Sequence, residues 1–538
     1  MKTPQVLRAF SAVAVLLGLV SLLSCATSTK EVSAVRNATG AELAQVPTWS
    51  PQDLDFFLHG SMSTEVVPET VLRAFIRTYP DLFPTQDLSH LGLIPDPKFG
   101  WPVGFSRKEV PHLSGLPAVG LNCASCHVGE ITPADGGANV RVLGMTSHFD
   151  AEGFFGAVIV STFRTADTSN MKKFLAAYLA VNDPKSGDAG QKTSQAEWQK
   201  QEQKITSAMT AVVTRNPGGL RPIDGKDLRL DGKSLARGED LAALSVSMLN
   251  LFHNLRAALH VPDAPPEKVP PASGPGRNDA FGLLSAALFG VPQPPAPVKY
   301  GLVWNVENWH WVHWDGNTQS PLGRNLLAAA GLGAPLVGKR CYLDFALVKR
   351  QTDLSEGIHA PRYPFAIDEA AASRGAAHYQ SQCASCHGGQ ESDKRLYTTA
   401  EMGTDPTRAQ AFTPIQAGYF NKFLAEMETP GYQPSGEPGI RSTQKYFAAS
   451  LPGVWARSPY LHNGSVRTMQ ELLTPPAARA KTFHRGSRVY DATQMGYADD
   501  GVYVLDTAGP GNSNSGHNYG TSLPADQKLE LIEYLKTL

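Results

Sequence analysis

Apolar and polar residues recur with the period of an α-helix in several parts of the chain. In the segment ETVLRAFIRTYPDLF, five apolar side chains fall on one side of a helix: Val71, Leu72, Phe75, Ile76 and Tyr79. The C-terminal segment PADQKLELIEYLKTL places Leu529, Ile532 and Leu535 in phase. Pro524 lies in its first turn, where a helix tolerates proline. Both segments are predicted to be amphipathic helices.

The middle of the chain changes character twice. Residues 170–260 contain three further helical patterns: MKKFLAAYLAVN, AEWQKQEQKITSAMTAVVTRN and DLAALSVSMLNLFHNLRAAL. From Val261 to Pro275, six of fifteen residues are Pro, which lacks the backbone donor of helices and sheets, so an extended surface connection is predicted. A Trp-rich segment follows, with four of the eight Trp between Trp304 and Trp314.

Composition and charge exclude some partners. The 538 residues carry a formal net charge of −1, and the pI is about 6.9. This balance predicts neither a nucleic-acid-binding protein nor one that binds anionic membrane surfaces. The 49 Gly and 40 Pro predict many loops, and the length implies two or three domains.

The N-terminal residues are typical of an exported protein. Residues 1–24 have a basic start and an apolar run that is too short for a mature membrane span, which predicts a signal peptide. The sequence Leu-Leu-Ser-Cys ending at Cys25 resembles a bacterial lipobox, in which this Cys is diacylated. The alternative is an ordinary signal peptide that contains Cys25. Because Ala26 is not Asp, we expect an outer-membrane lipoprotein facing the periplasm or the cell surface, anchored through its lipid alone.

The most specific signal is the pentapeptide CASCH, which occurs twice, at residues 123–127 and 383–387. Two thiols at this spacing each add to one vinyl group of a porphyrin, and the adjacent imidazole becomes the proximal iron ligand. A thioredoxin-like pair does not need the His, and a structural zinc site needs a second ligand pair close by. The motifs therefore predict two covalently bound haem c groups, held by Cys123, Cys126 and His127 and by Cys383, Cys386 and His387. With Cys25 assigned to lipid, Cys341 remains as a small buried residue.

The motifs and the helical patterns together suggest the domain organisation. The Ala-rich segment IDEAAASRGAAHYQSQ leads directly into the second motif, and a C-terminal helix closes the chain, as in a class I cytochrome c. We expect a mainly α fold with long loops and two cytochrome c-like haem domains. The predicted parts are a tether at 25–48, an extension at 49–115, a first haem domain at 116–360 and a C-terminal cytochrome c domain at 361–538. Inserted helices and the Trp-rich segment enlarge the first haem domain.

Six short segments, in this order, are similar to a known family: WPVGF, GLNCASCH, GPGRNDAFG, HWDGN, SPYLHNGS and GNSNSGHNYGT. They resemble the exported di-haem c-type cytochromes that include rubber oxygenases and, more distantly, bacterial di-haem cytochrome c peroxidases. The resemblance covers roughly residues 101–538. It implies an N-terminal haem with an open position that reacts with oxygen or peroxide. It also implies a C-terminal haem that has a second protein ligand and transfers electrons.

Candidates for the second ligand of the C-terminal haem lie in the last domain. His517 lies on a Gly/Asn/Ser loop that can approach a porphyrin closely, and its position matches the distal His of the family; an exposed loop His is the alternative. His462 in SPYLHNGS is predicted to donate to a haem propionate, with Arg457 as a charge partner. Met469 is either a thioether ligand or a core residue, and His484 is a weaker candidate.

The N-terminal haem has no clear second ligand in the sequence. His59, His112 and His148 flank its domain and are expected to be ordinary surface or hydrogen-bonded residues. Arg277 and Asp279 are expected either to serve haem propionates or a bound oxygen species, or to form a buried salt bridge. Trp311 and Trp314 are candidates for electron transfer or for lining the pocket.

The sequence thus predicts a peroxidase- or oxygenase-like di-haem oxidoreductase. Its expected partners are a small redox donor protein or cytochrome and a substrate that is peroxide, dioxygen or an apolar organic molecule. The alternative function is that of a non-enzymatic electron-transfer cytochrome with two six-coordinate irons.

Overall fold

The structure is a computed structural model, and it describes twelve stretches of the chain. They are residues 40–65, 67–110, 116–165, 168–182, 273–289, 291, 296–334, 336–337, 340–341, 343–388, 395–436 and 439–538. Outside these residues lie the predicted signal peptide, Cys25, most of the predicted tether, His112 and most of the predicted inserted helices. Ala38–Leu538 form one compact unit. In the part of the chain that is described, no helix has the length and apolar character of a membrane span.

Helices occur along the whole described chain. In order they are α1 Gly40–Gln45, α2 Pro51–His59, α3 Glu69–Thr78, α4 Cys123–His127, α5 Ala151–Thr165, α6 Thr168–Asn182, α7 Ala280–Phe289, α8 Pro321–Gly331, α9 Phe345–Glu356, α10 Glu369–Gln382, α11 Ala384–His387, α12 Thr399–Met402, α13 Thr407–Ala411, α14 Pro414–Glu426, α15 Met469–Leu472 and α16 Ala525–Lys536. Helix α3 confirms the first amphipathic pattern, because Val71, Leu72, Phe75 and Ile76 are buried. In α16 the buried apolar residues are Leu531, Ile532 and Leu535. Leu529 is 48% exposed, so the prediction that it lies on the buried face was wrong.

Short strands accompany the helices, so the expectation of a mainly α chain holds only in part. They are β1 Val67–Pro68, β2 Phe105–Val110, β3 Leu116–Leu121, β4 Val128–Pro133, β5 Val140–Leu143, β6 Arg277–Asn278, β7 Val298–Lys299, β8 Leu336–Val337, β9 Arg340–Cys341, β10 Leu396–Thr398, β11 Lys445–Phe447, β12 Thr482–Arg485, β13 Val489–Asp491, β14 Gly496–Tyr497 and β15 Tyr503–Asp506. Among the described residues they form six sheets, and the largest has the order β14-β13-β4-β5. The architecture is therefore mixed.

The largest sheet joins two distant parts of the chain. Strand β13 pairs in parallel with β4, with Val489 opposite Thr132 and Tyr490 opposite Pro133. Arg488 adds an ion pair to Glu130 at 3.1 Å. Backbone hydrogen bonds thus connect the segment after the first CASCH motif to the C-terminal quarter. The domain limits proposed at residues 360 and 361 stay a prediction.

The second motif has the helical frame that its sequence predicts. Helix α10 leads into α11 and crosses α16, with the rings of Tyr379 and Tyr534 5.1 Å apart. The crossing is close because residue 375 is Gly: a Cβ there would lie 2.0 Å from the carbonyl oxygen of Glu530. The first motif differs, because β3 precedes α4 and β4 follows it. Among the described residues, the helical frame of a class I cytochrome c thus surrounds the second motif, and the cytochrome c-like domain around the first motif stays a prediction.

Candidate functional site

The backbone holds the first CASCH motif in a five-residue helix with a capped N-terminus. The side-chain oxygen of Asn122 accepts a hydrogen bond from the amide of Ala124 at 2.9 Å. Its amide nitrogen donates to the carbonyls of Phe57 and Gly60 at 3.2 and 2.9 Å. Because these partners fix both ends of the Asn122 side chain, α4 is tied to α2, and the orientation of the motif is determined by the surrounding core.

Both motif histidines form a hydrogen bond with a backbone carbonyl through the same ring nitrogen, Nδ1. Nδ1 of His127 donates to the carbonyl of Gly301 at 2.8 Å, and Nδ1 of His387 donates to the carbonyl of Ala449 at 2.7 Å. A carbonyl only accepts, so Nδ1 carries the hydrogen and Nε2 keeps its lone pair. This is the arrangement by which proteins orient an imidazole metal ligand. Burial lowers the pKa of His127 to about 3, which keeps the ring neutral.

The four motif cysteines have free thiols, and burial raises the pKa of Cys126 to about 12 and that of Cys383 to about 11. No disulfide joins the described cysteines. Free thiols at this spacing beside a neutral imidazole fit covalent attachment of a porphyrin. Cys341, as expected, is a buried free thiol.

The second motif opens into a large cavity of about 1300 Å³, which includes its open mouth. Cys383, Cys386 and His387 line one side of the cavity, and His517 lines it as well. The remaining wall is largely apolar and is formed by residues of α10, α15 and α16 and of the segment 446–462.

The rings of His387 and His517 face the same space, with their centroids 6.3 Å apart and their planes at 48°. A metal–imidazole bond is about 2 Å long and the ring centre lies about 1 Å further, so two imidazoles on opposite sides of one iron have centres about 6 Å apart. The observed separation therefore fits one iron between the two rings. Burial, followed by the charge of His387, lowers the pKa of His517 to about 4. The side chain of His517 is partly buried, and its Nδ1 atom is shielded from solvent.

The loop that carries His517 is held from two sides. His517 has a positive φ of 50°, and its amide donates to the carbonyl of Met402 at 3.1 Å. Residue 516 must be Gly, because a Cβ there would lie 2.5 Å from the backbone of Gly403. The buried Arg479 binds the loop from the other side through the carbonyls of Asn514, Gly516 and His517, at 2.6, 2.8 and 3.1 Å.

His462, Arg457 and Met469 line the same cavity. Nε2 of His462 is 3.1 Å from the hydroxyl of Tyr446, and the two rings stack with centroids 4.3 Å apart. Tyr446 thus contacts both a ring nitrogen and the face of the His462 ring. These contacts are consistent with a His462 that lies beside the porphyrin rather than on its axis. His484 lies on β12, half exposed and 3.2 Å from Asp499, and it does not line the cavity.

Another, smaller cavity of about 690 Å³ lies near the first motif, and we call it the first cavity. Gly301, the acceptor of the His127 hydrogen bond, forms part of its wall. Arg324 and Ser355 also line it, and both interact with Cys123. These contacts connect the first cavity to the first CASCH motif. The larger cavity, which lies beside the second motif, is called the second cavity.

His313 lines the first cavity, and sequence reasoning missed this residue. Burial, followed by the charge of Arg324, lowers the pKa of His313 to about 3, so its ring is neutral. Both Arg324 and His127 contribute to the lowering of the pKa of His313, so these side chains lie near one another. The signal in the sequence is the motif HWDGN, which is one of the six segments of the family resemblance.

Trp314 lines both cavities, together with Phe447 and Ala449. Its indole nitrogen donates to the carbonyl of Lys299 at 3.1 Å, and the ammonium of Lys299 lies 5.3 Å from the ring centre. The candidate Trp314 thus lies between the two cavities. Trp311 lines neither cavity, and its ring packs 3.5 Å from the guanidinium of Arg441.

The other polar candidates of the N-terminal half lie away from both cavities. Arg277 donates to the carbonyl of Asn463 at 3.0 Å and to the side chain of Asn512 at 2.7 Å, so it joins the SPYLHNGS and GNSNSGHNYGT loops. Asp279 accepts from the amide of Gly282 at 3.0 Å at the start of α7. His59 donates to the carbonyl of Phe105 at 2.9 Å, and His148 packs edge-on against Tyr497 at 4.7 Å.

Comparisons with known proteins bear on the second motif. A family model described as RoxA-like, cytochrome c-like, matches residues 445–484. A model described as cytochrome C oxidase, cbb3-type, subunit III, matches residues 370–424. These domains imply haem c and a redox role.

Two proteins of Sinorhizobium fredii are similar over longer stretches. The uncharacterized protein y4iJ is 27% identical over 557 residues, covering 85% of this chain and 85% of its own length. The uncharacterized protein y4iM is 30% identical over 323 residues, covering 51% of this chain and 72% of its own length. The chain therefore belongs to the same family as the y4iM protein, and its C-terminal half carries cytochrome c-like domains, one of them RoxA-like.

Proposed function

We propose that the protein is a di-haem c-type oxidoreductase in which the first haem reacts with peroxide or dioxygen and the second transfers electrons. The observation that carries the proposal is the difference between the two motif histidines. His387 faces His517 at 6.3 Å, whereas among the described residues His127 has no ring partner at such a separation. One iron would be closed by two imidazoles, and the other would keep a free position.

The second site suits electron transfer. Cys383 and Cys386 would hold the porphyrin, with His387 and His517 as axial ligands. Two neutral imidazoles give a low-spin iron with a lower potential than a His/Met pair, so Met469 is assigned to the core, where it is buried. His462 and Arg457 would bind a propionate through hydrogen bonds and charge.

The first site suits reaction with a small molecule. Cys123, Cys126 and His127 would hold the porphyrin, and a haem with an open axial position supplies binding and reduction of oxygen species. The residues of this chain keep the His127 ring neutral and oriented, and they line a space with apolar walls and few polar groups. Trp314, which lines both cavities, is the proposed route for electrons between the sites.

The location and the partners of the protein are proposed from the N-terminal sequence. The sequence of residues 1–25 supports export, lipid attachment at Cys25 and an outer-membrane location. Such a location would require a small reduced cytochrome or similar redox protein as electron donor. Replacing Cys25 with Ser should release the protein from the membrane fraction or leave an unprocessed precursor. A normally processed variant that stays in the membrane fraction would contradict the lipid anchor.

Spectroscopy of the purified protein tests the proposed function. We expect one low-spin haem and one high-spin haem by electron paramagnetic resonance, and carbon monoxide binding to one haem of the reduced protein. His127→Gly should abolish the reaction with peroxide or oxygen and leave the low-spin signal. His387→Gly is the matched change at the other motif and should remove the low-spin signal. Two low-spin haems in the wild type would instead support the alternative, an electron-transfer cytochrome without a reactive iron.

A further inference from the structure

The HWDGN motif, residues 313–317, forms a continuous polar chain beside the first cavity. The buried carboxylate of Asp315 pairs with Arg408 at 3.3 Å. The same carboxylate accepts a hydrogen bond from the side-chain nitrogen of Asn317 at 3.1 Å. The side-chain oxygen of Asn317 lies 2.7 Å from Nδ1 of His313. Four side chains are thus linked in one line, and three of them come from a single pentapeptide.

This chain determines which nitrogen of His313 carries the hydrogen. A carboxylate only accepts hydrogen bonds, so the nitrogen of Asn317 must point to Asp315 and its oxygen must point to His313. Nδ1 of His313 therefore donates to Asn317, and Nε2 keeps a bare lone pair. The hydroxyl of Thr318 also donates to the oxygen of Asn317, at 2.9 Å, which strengthens the orientation.

The backbone and the cavity wall hold this ring in place. His313 has a φ of 72°, a left-handed conformation that a non-glycine residue adopts only when its surroundings impose it. The ring of Phe281 packs edge-on against it at 5.1 Å. Arg324, whose guanidinium has five donors, lines the same cavity. Beside the polar side chains of Asn325, Ser355 and Glu356, the cavity therefore contains a hydrogen-bond acceptor on a neutral ring and a cationic donor.

We propose that His313, oriented by Asn317, accepts a hydrogen bond from a protic ligand at the first haem and so makes hydrogen peroxide, rather than dioxygen, its substrate. This inference rests on the proposed function, because it requires an open iron at the first motif. Hydrogen peroxide carries a hydrogen that Nε2 accepts. Dioxygen carries none, and its oxygen lone pairs would face the lone pair of Nε2, which is unfavourable in a buried site.

The reaction balances with groups already named. Hydrogen peroxide takes up two electrons and two protons and gives two water molecules. Nε2 of His313 would accept a proton from one oxygen of the peroxide and return it to the other oxygen, which would leave as water as the O–O bond breaks. The remaining oxygen would become the second water with two protons from solvent. Both electrons come from a reduced small redox protein through the second haem.

Ligand binding tests the role of His313 without turnover. Hydrogen cyanide, the form present at pH 7, gives up a proton when it binds ferric haem, whereas carbon monoxide carries no proton. In His313→Leu we expect cyanide association with the oxidised protein to slow by about 100-fold, the range of positioned proton transfer. Carbon monoxide association with the reduced protein should change by no more than about threefold. Peroxide turnover should fall with the cyanide rate.

Two further variants sharpen the test. Asn317→Leu should produce a smaller decrease in the cyanide rate, because the ring stays but its orientation is no longer fixed. His310→Leu is the matched control, since this exposed His lies three positions away and lines neither cavity. It should leave both rates unchanged. Each variant is compared at two covalently bound haems per chain, which shows that it has folded and matured.

Different outcomes reject different statements. An unchanged cyanide rate in His313→Leu, or equal losses for cyanide and carbon monoxide, would reject the acceptor role and leave the proposed function standing. If His313→Leu instead converts a low-spin first haem to high-spin, His313 is an axial ligand and the inference is wrong. A wild-type protein that binds neither ligand would reject the proposed function and the inference together.

Discussion

The two CASCH motifs are identical in sequence, but the structure surrounds them differently. A strand precedes the first motif and another follows it, whereas a fourteen-residue helix leads into the second. Both histidines donate Nδ1 to a backbone carbonyl and present Nε2. The difference begins beyond that nitrogen: His517 faces His387, while His313 and Arg324 lie in the cavity near His127. A motif of five residues therefore defines the attachment of a cofactor, and residues far away in sequence define its chemistry.

A loop carries His517 into the second cavity, and removal of this side chain should have the largest effect. Replacing His517 with Ala removes the proposed axial ligand, so the low-spin signal of the C-terminal haem should be lost and a high-spin or water-ligated form should replace it. Covalent attachment should survive, because Cys383 and Cys386 are unchanged. Optical and electron paramagnetic resonance spectra measure both results.

His462→Ala is the control for that experiment. His462 lines the same cavity but contacts Tyr446, so its loss should shift the haem potential while the spin state stays low. If His462→Ala changes the spin state and His517→Ala does not, SPYLHNGS supplies the axial ligand and the assignment is wrong.

A smaller effect is expected from Arg479, which holds the His517 loop without touching the cavity. Its guanidinium donates to five backbone carbonyls. Three of them belong to this loop, those of Asn514, Gly516 and His517, and the other two are those of Leu472 and Thr474. Arg479→Leu leaves these buried acceptors without donors, at about 1–3 kcal/mol for each one that water cannot reach. We expect a loss of at least about 3 kcal/mol in the free energy of unfolding. Part of the low-spin signal should also be lost, because the loop is no longer held.

Arg374→Leu provides the same substitution at an exposed site. Arg374 is 59% exposed and pairs with Glu530 on the surface, where ion pairs contribute little. Chemical denaturation and the low-spin signal should both stay near wild-type values. Equal behaviour of the two variants would show that Arg479 does not hold the loop.

The sequence predicted the second site better than the first, for a physical reason. The proposed ligands of the second haem lie beside patterns that are visible over short stretches of sequence: a helix before the motif, a Gly-rich loop and a closing helix. The first site depends on pairings between distant segments, such as Gly301 with His127 and β13 with β4. The spacing of residues along the chain does not indicate which distant segments come into contact. Arg479 and His313 were missed because an Arg or His in a loop gives no sign of which carbonyl or cavity it will meet.

The smallest predicted effect tests the helical frame itself, which only the second motif has. At the crossing of α10 and α16, Gly375→Ala would place a Cβ 2.0 Å from a backbone oxygen, so the helices must move apart. We expect this overpacking, about 1–3 kcal/mol, to outweigh a gain of about 1 kcal/mol in helix propensity. Gly418→Ala in α14 is the matched control, because nothing lies within 4 Å of its Cβ position and the propensity gain should appear alone. Denaturation curves should therefore move in opposite directions for the two variants. Gly375→Ala should also weaken the low-spin signal of the second haem and leave carbon monoxide binding at the first unchanged. If both variants are equally stable, the close crossing does not support the second site.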